Sequence, residues 1–262
     1  MLYHDDGDIV NIQKIIKLKN GKFKIKMDGF DFETYDEVII KYNLLYKKQI
    51  NTELLKKISD ESLYYDNYNK VLKFATKRVR CEKEIVDYIK ELEISEEDCL
   101  KIIAKLKIVN LLNDRIYARS YINDRILFSK DGIGKIKQDL KEKNVDLNII
   151  EDEISKIDVN FHDRLQSLIT KRIKANHKYS DYLLKNKIIR EMLNLGYDYD
   201  DIVEIYDNNK IDNYDNLIKE YNRLYIKFSK KYHGSELEYI IKNKLYCKGF
   251  QYGDIKKEDL IV

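Results

Sequence analysis

A chain of 262 residues that is 44% apolar and 36% charged is too apolar to stay disordered and too charged to wrap one thick core. Slender modules that leave many side chains in water fit that balance, and a formal charge of +3 names no partner by itself. The cysteines Cys81, Cys99 and Cys247 are scattered and form no CxxC pair, which argues against a disulfide framework or zinc knuckle and for a reducing compartment. The opening MLYHDDGDIVNIQK is acidic where a secretory signal is basic. No apolar run approaches the roughly 18 residues of a membrane helix. A soluble, cytoplasmic, monomeric protein with no membrane contact is expected.

Residues 9–34 predict strands. Val10, Ile12, Ile15 and Ile16 suggest the first, and Asn20-Gly21 is a strong hairpin signal because both residues tolerate positive φ. Phe23, Ile25 and Met27 then alternate with Lys22, Lys24 and Lys26, the period-two pattern of a half-buried strand. Asp28-Gly29 offers a second turn before Phe30 and Phe32, and Asp36 is read as the cap of a short helix, EVIIKYNLL. Three strands and a helix lie near the minimum for independent stability. The strand lysines could face nucleic acid, but alternating lysine on a strand is ordinarily a solvated face, and that reading is favoured.

From about residue 60 every window reads helical, and the chain repeats. Ile85, Ile136, Ile188 and Ile241 fall in one column, spaced by 51, 52 and 53 residues. The same offsets align Ile89, Leu140, Met192 and Leu245, then Ile94, Val145, Tyr197 and Phe250, then Cys99, Ile150, Ile202 and Ile255. Four copies of a three-helix unit are therefore predicted: 60–110, 111–156, 157–209 and 210–262, behind a β-rich module at 1–58. The second helix of each should stop at Asn144, Gly196 and Gly249 in units two to four, residue types that accept a left-handed cap. Glu93 holds that place in unit one, so its cap should be weaker or differently shaped. Acids open the third helices, SEED at 95–98 and DYDD at 198–201, where the helix dipole favours them. Gly253 should leave the last helix truncated. Such small units bury little alone and must stack. The fold class expected is mostly α, tandem three-helix repeats in an elongated curved stack with a small β-rich N-terminal module.

Charge follows the repeat. Residues 161–190 carry Arg164, Lys171, Arg172, Lys174, Lys178, Lys185, Lys187 and Arg190 against Asp163 and Asp181 alone, and the next helix is acidic. Any one lysine is ordinarily solvated, but a sign preference that recurs in each unit points to a polyanionic or charge-patterned partner.

Asp114, Tyr117, Ala118 and Arg125, followed by Gly132, Lys135, Ile136, Asp139, Leu140, Lys143, Asn144 and Val145, resemble the second-repeat pattern of the RecX family, bacterial regulators of the RecA recombinase. Asn144 replaces the usual glycine, a swap that a left-handed cap tolerates. Lys187, Met192, Gly196 and Tyr197 resemble the third-repeat pattern, with Met for Leu and a spacing shifted by one residue. The similarity covers essentially the whole chain, and the β-rich head is similar to the N-terminal extension of the long Gram-positive members. The resemblance implies a non-catalytic protein that lodges in the helical groove of the RecA–DNA filament. There it would modulate, most often inhibit, recombinase, ATPase and coprotease activity in repair, recombination and the SOS response. It does not set the contact residues. The exposed basic candidates are Arg115, Arg119, Arg125, Lys135, Arg172, Lys187 and Arg190; Arg125 could instead pair within the fold.

No catalytic constellation is evident and no cofactor is implied. His162-Asp163 lacks further ligands at metal spacing. Gly132-x-Gly134 is too short for a nucleotide fingerprint and follows no strand, and no GxxxxGK[ST] is present. The alternative is a helix-turn-helix-type DNA-binding protein acting without RecA. Any contact with single- or double-stranded DNA would be weak, through phosphates, and salt-dependent.

Overall fold

The structure, a computed structural model, describes residues 9–209, 212 and 214–255. The chain forms two compact units, Met1–Tyr117 and Ala118–Val262.

The first unit opens with an antiparallel sheet of order β3-β2-β1-β4, made from β1 (Ile9–Lys17), β2 (Phe23–Met27), β3 (Phe30–Thr34) and β4 (Gln49–Asn51). Three strands were expected; the short fourth lacks an alternating pattern of its own and pairs with Ile9–Asn11. Ile12 pairs with Met27 but Lys14 with Lys26, so β1 carries one extra residue at Gln13, a bulge that re-phases the strand. The bulge explains why the inward residues run Val10, Ile12 and then Ile15. In both hairpin turns only the glycine is left-handed, Gly21 and Gly29 each at φ 85°.

Asp36 is not the cap expected of it. Tyr35 holds the cap position of α1 (Asp36–Lys41) without a side-chain bond, and the Asp36 carboxylate accepts from the Glu37 N–H at 3.1 Å. The predicted EVIIKYNLL helix is broken as well. Asn43 turns left-handed at φ 51°, and a separate 3-10 turn, Leu44–Tyr46, follows.

The helix α2 (Thr52–Ala75) starts earlier than the sequence suggests and contains no glycine or proline to stop it. It is capped by the Asn51 side chain, which accepts from the Leu54 N–H at 2.9 Å. Its first half presents Ile58 to the core formed by Ile25, Met27, Val38, Ile39, Leu44 and Ile50. Its second half presents Tyr68, Val71 and Ala75 to Ile85 and Ile89 of α3 (Glu82–Glu91) and Ile102 and Leu106 of α4 (Glu96–Ile108). Ser62 lies buried between the two. Its hydroxyl bonds to the Ile58 carbonyl and shares a 2.6 Å hydrogen bond with the Thr34 hydroxyl, which removes the cost of burying both.

The helix α5 (Asp114–Phe128) carries the chain into the second unit. There follow α6 (Ile133–Glu142), α7 (Leu147–Ser155), α8 (Phe161–Lys174), α9 (Asp181–Asn194), α10 (Tyr199–Asn209), α11 (Tyr214–Phe228) and α12 (Gly234–Tyr246), then a 3-10 turn, Tyr252–Asp254. The truncation expected of the final helix concerns residues up to Val262, and 256–262 lie outside those described.

The aligned columns have a physical meaning. In all four second helices the same two hydrogen bonds close the C-terminus: Ile94 N–H to Ile89, Val145 to Leu140, Tyr197 to Met192 and Phe250 to Leu245, with a shorter loop closed by Glu93, Asn144, Gly196 and Gly249. The shared pattern is a Schellman motif, in which the residue before the last turn touches the residue after the cap. Two of the four columns are those two contact positions. Glu93 is not differently shaped, as its residue type led one to expect; it adopts the same left-handed backbone at φ 55°, beside Asn144 at 59°. The apolar contact between Ile89 and Ile94 holds it there at a cost of about 1–2 kcal/mol of steric strain.

Candidate partner-binding surface

The seven basic candidates differ in what holds them. Arg125 and Lys135 converge on Asp139, which sits where α5 meets α6. Lys135 pairs with Asp139 at 2.9 Å and Arg125 lies 3.5 Å from it and 3.4 Å from Asp131. The Tyr121 hydroxyl donates to Asp139 at 2.7 Å and accepts from Arg125 Nε at 2.8 Å. Burial and the Asp139 hydrogen bond push the Tyr121 phenol up to about 12. Burial also raises the Asp139 carboxyl, but the bonds from Tyr121 and Lys135 and the Arg125 charge outweigh it and leave it below its usual range. Arg125 is thus paired within the fold, the second of the two roles open to it.

Arg119 grips Glu153 of α7 with two hydrogen bonds, 2.8 and 3.3 Å. Glu153 is only 4% exposed, and Lys156 reaches it at 2.9 Å. Arg115 is exposed at the start of α5, where its backbone N–H is capped by Asn113. Arg172 bonds from α8 to Glu191 of α9. Lys187 lies 4.2 Å over the Tyr179 ring. Arg190 is exposed, one residue from the acid that Arg172 occupies, and carries no ion pair among the described residues. The exposed Lys171, Lys174 and Lys178 likewise have none among the described residues. The acidic helix α10 takes one cation of this region, Lys185, through Asp207 at 2.7 Å. The open charge on α8–α9 therefore centres on Lys171, Lys174, Lys178, Lys187 and Arg190.

Residues outside the seven basic candidates join the repeats of the second unit. The Gly132 N–H at the start of α6 donates to the Leu195 carbonyl at 2.7 Å, and the Gly134 N–H to the Gly196 carbonyl at 3.1 Å. A Cβ on Gly132 or Gly134 would lie 2.9 or 2.6 Å from the Gly196 oxygen. Gly132-x-Gly134 is therefore a place of close backbone approach. The next joint repeats the rule: the Ser180 N–H at the start of α9 donates to the Lys248 carbonyl at 3.0 Å, beside left-handed Gly249. First helices are tied in the same way. Arg164 of α8 donates to the carbonyls of Ile126 in the last turn of α5 and of Ser129 just past it, and Asn216 of α11 to that of Asn176 past the end of α8. In the first unit Asp114 accepts from the Glu82 N–H at the start of α3, and burial holds its carboxyl above its usual range.

Buried Glu220 of α11 is held by Arg223 at 2.7 Å and Lys248 at 2.6 Å. The sequence carries a signal for this residue: Glu220 falls within the apolar phase of Leu217, Tyr221 and Leu224, where an acid needs partners. Among the described residues no group of three or more His, Cys, Asp or Glu could hold a metal, and no helix is long and apolar enough to cross a membrane.

A family model described as RecX, second three-helix domain, matches residues 113–153, the span that holds the Tyr121–Arg125–Asp139 network and the Gly132–Gly134 side of the first glycine joint. The chain is 32% identical over 253 residues to a regulatory protein RecX of Streptococcus agalactiae serotype Ia, covering 93% of this chain and 97% of that one. It is 30% identical over 255 residues to a regulatory protein RecX of Streptococcus pneumoniae Hungary19A-6, covering 92% and 96%. A crystal structure described as regulatory protein RecX has the same fold at a TM-score of 0.67 and 23% identity, over 76% of this chain and 99% of that one.

Proposed function

The chain belongs to the RecX family of regulatory proteins, and from that premise we propose that it binds the RecA–DNA filament in its helical groove and inhibits recombinase, ATPase and coprotease activity. It acts by occupancy rather than by chemistry. The observation that carries this reading is similarity to regulatory RecX proteins along nearly the whole of both chains.

The charge arrangement supports it. The α8–α9 face keeps Lys171, Lys174, Lys178, Lys187 and Arg190 without acidic partners among the described residues, while α10 on the same repeat carries Asp200, Asp201 and Glu204 on its exposed side. Cations left open in this way steer association with a negatively charged assembly and add specificity more than raw affinity. Arg119, Arg125, Lys135 and Arg172 are held in ion pairs, so they serve the surface less directly.

The test is RecA ATP hydrolysis on single-stranded DNA while the protein is titrated below one copy per RecA at physiological salt. A strong fall is expected, with more protein required for Lys187→Ala/Arg190→Ala and little change for Arg125→Ala in folded protein. Unchanged hydrolysis and filament length, together with tight salt-sensitive binding to naked DNA, would favour a DNA-binding protein that works without RecA.

A further inference from the structure

We propose that the β1–β2 hairpin of the N-terminal module is a second contact surface, one that binds the phosphate backbone of DNA. Residues 14–26 contain Lys14, Lys17, Lys19, Lys22, Lys24 and Lys26 and no acid. The sequence alone favoured a solvated face for these lysines. The structure shows an arrangement that solvation does not call for.

The bulge at Gln13 sets Lys14 directly opposite Lys26 across the two strands. Like charges in directly opposed cross-strand positions destabilise a sheet, and an acid at either place would stabilise it. Acids do appear where they relieve the neighbours: Lys24 reaches Asp31 at 3.3 Å and Lys22 reaches Asp66 at 2.5 Å. Lys14, Lys17, Lys19 and Lys26 are exposed and have no ion pair among the described residues. Lys48 is also exposed, and its carbonyl accepts from the Ile12 N–H at 2.8 Å, which brings its backbone beside the same strand. The cations lie along the β1–β2 hairpin and its tight turn within the four-stranded sheet, Lys14 and Lys26 on one face and Lys17, opposite Phe23, on the other. They offer point charges rather than planar forks, which suits phosphates and not base edges.

The surface lies on the β-rich module, apart in sequence from the α8–α9 face, so it can fail while the RecA reading stands. The experiment is fluorescence anisotropy of the full chain on a labelled 30-base-pair duplex and on a single strand of equal length, from 50 to 200 mM salt. The comparison is wild type against Lys14→Gln/Lys17→Gln/Lys19→Gln/Lys26→Gln. Each lysine that neutralises a phosphate adds about 0.9 to the slope of log affinity against log salt on a duplex. The quadruple variant should therefore bind more weakly and with a slope shallower by roughly 3–4, and the loss should be larger on the duplex. Lys14→Gln/Lys26→Gln should raise the melting temperature while weakening DNA binding, because it removes the opposed charges; this separates a contact role from a folding defect. An unchanged affinity and slope in the quadruple variant, or no binding by the wild type at 50 mM salt, overturns the proposal. A loss confined to single-stranded DNA would overturn the preference for duplex.

Discussion

Gly196→Ala tests the idea that the repeats of the second unit are locked by backbone approach at the cap of α9. Gly196 sits at φ +80°, where an alanine carries about 1–2 kcal/mol of steric strain. Its Cβ would also lie 2.6 Å from Lys135 Cβ and 2.8 Å from Lys135 Cα, nearer still to the backbone nitrogen. These are atoms of the first turn of α6 and cannot swing away as a side-chain tip could. The turn would have to withdraw, and with it the bonds from the Gly132 N–H to the Leu195 carbonyl and from the Gly134 N–H to the Gly196 carbonyl. Two such bonds contribute a net of about 1–3 kcal/mol, so the full loss should be about 2–5 kcal/mol, a large part of a domain's stability.

Gly234→Ala supplies the control within the same unit. Gly234 is also left-handed, at φ +56°, but nothing lies within 4 Å of its added Cβ, so only strain should be felt. The assay is urea unfolding followed by circular dichroism, with amide hydrogen exchange at Gly132 and Gly134. Gly196→Ala should cost about 1–3 kcal/mol more than Gly234→Ala and should speed exchange at both amides. Equal destabilisation by the two variants, with Gly132 and Gly134 still protected, would refute the reasoning.

Two further outcomes follow from the caps and the buried acids. Glu93→Gly should stabilise the first unit by about 0.5–1 kcal/mol, since relief of left-handed strain exceeds the added backbone entropy of glycine; the urea midpoint reads it. Stability should also fall at both ends of the pH range. The Asp139 and Glu220 carboxyls are held below their usual range, against the effect of burial, by bonds from Tyr121 and Lys135 and from Arg223 and Lys248. In the unfolded chain they take up protons first, so their contribution is present above the ordinary carboxylate range and is lost as pH falls through and below it. The Tyr121 phenol, raised to about 12 by burial and Asp139, contributes fully below about 10 and loses that contribution between 10 and 12. Asp139→Asn should flatten the acid limb and Tyr121→Phe the alkaline one, both visible in unfolding midpoints taken across pH.

The repeat was legible because a Schellman cap makes local demands. It needs an apolar residue three positions before the helix end, a left-handed residue after it, and an apolar residue next. Leu140, Asn144 and Val145 meet those demands within six residues, and so do Met192, Gly196 and Tyr197. The head was less legible. The Gln13 bulge breaks the alternation that marks a strand, and β4 is three residues long. Asp36 looked like a cap because its residue type is right, but the extended backbone of Tyr35 places the cap one residue earlier. Glycine joints were the hardest to see. Gly132 and Gly134 meet Gly196 more than 60 residues away, and no local pattern tells a glycine needed for approach from one needed for a turn.

The same division separates what the family pattern fixes from what it leaves free. Asp114 caps α3 and Gly132 gives its N–H to Leu195. Tyr121, which is not in the pattern, binds together two residues that are, Arg125 and Asp139, and Asn144 turns the end of α6. Residues bound to neighbours in this way cannot also be reassigned to a partner without loss of the joint. Arg172 shows how exposure misleads on this point. It lies on the outer part of α8 and helical phase alone marks it as available, yet α9 runs beside α8 and Glu191 takes its guanidinium. Lys187 and Arg190, on the same pair of helices, face no such acid among the described residues. The pattern therefore works as the frame that holds successive helices in register. In the function proposed above, recognition would fall to cations outside the joints, where substitution can retune the partner without unseating the repeats.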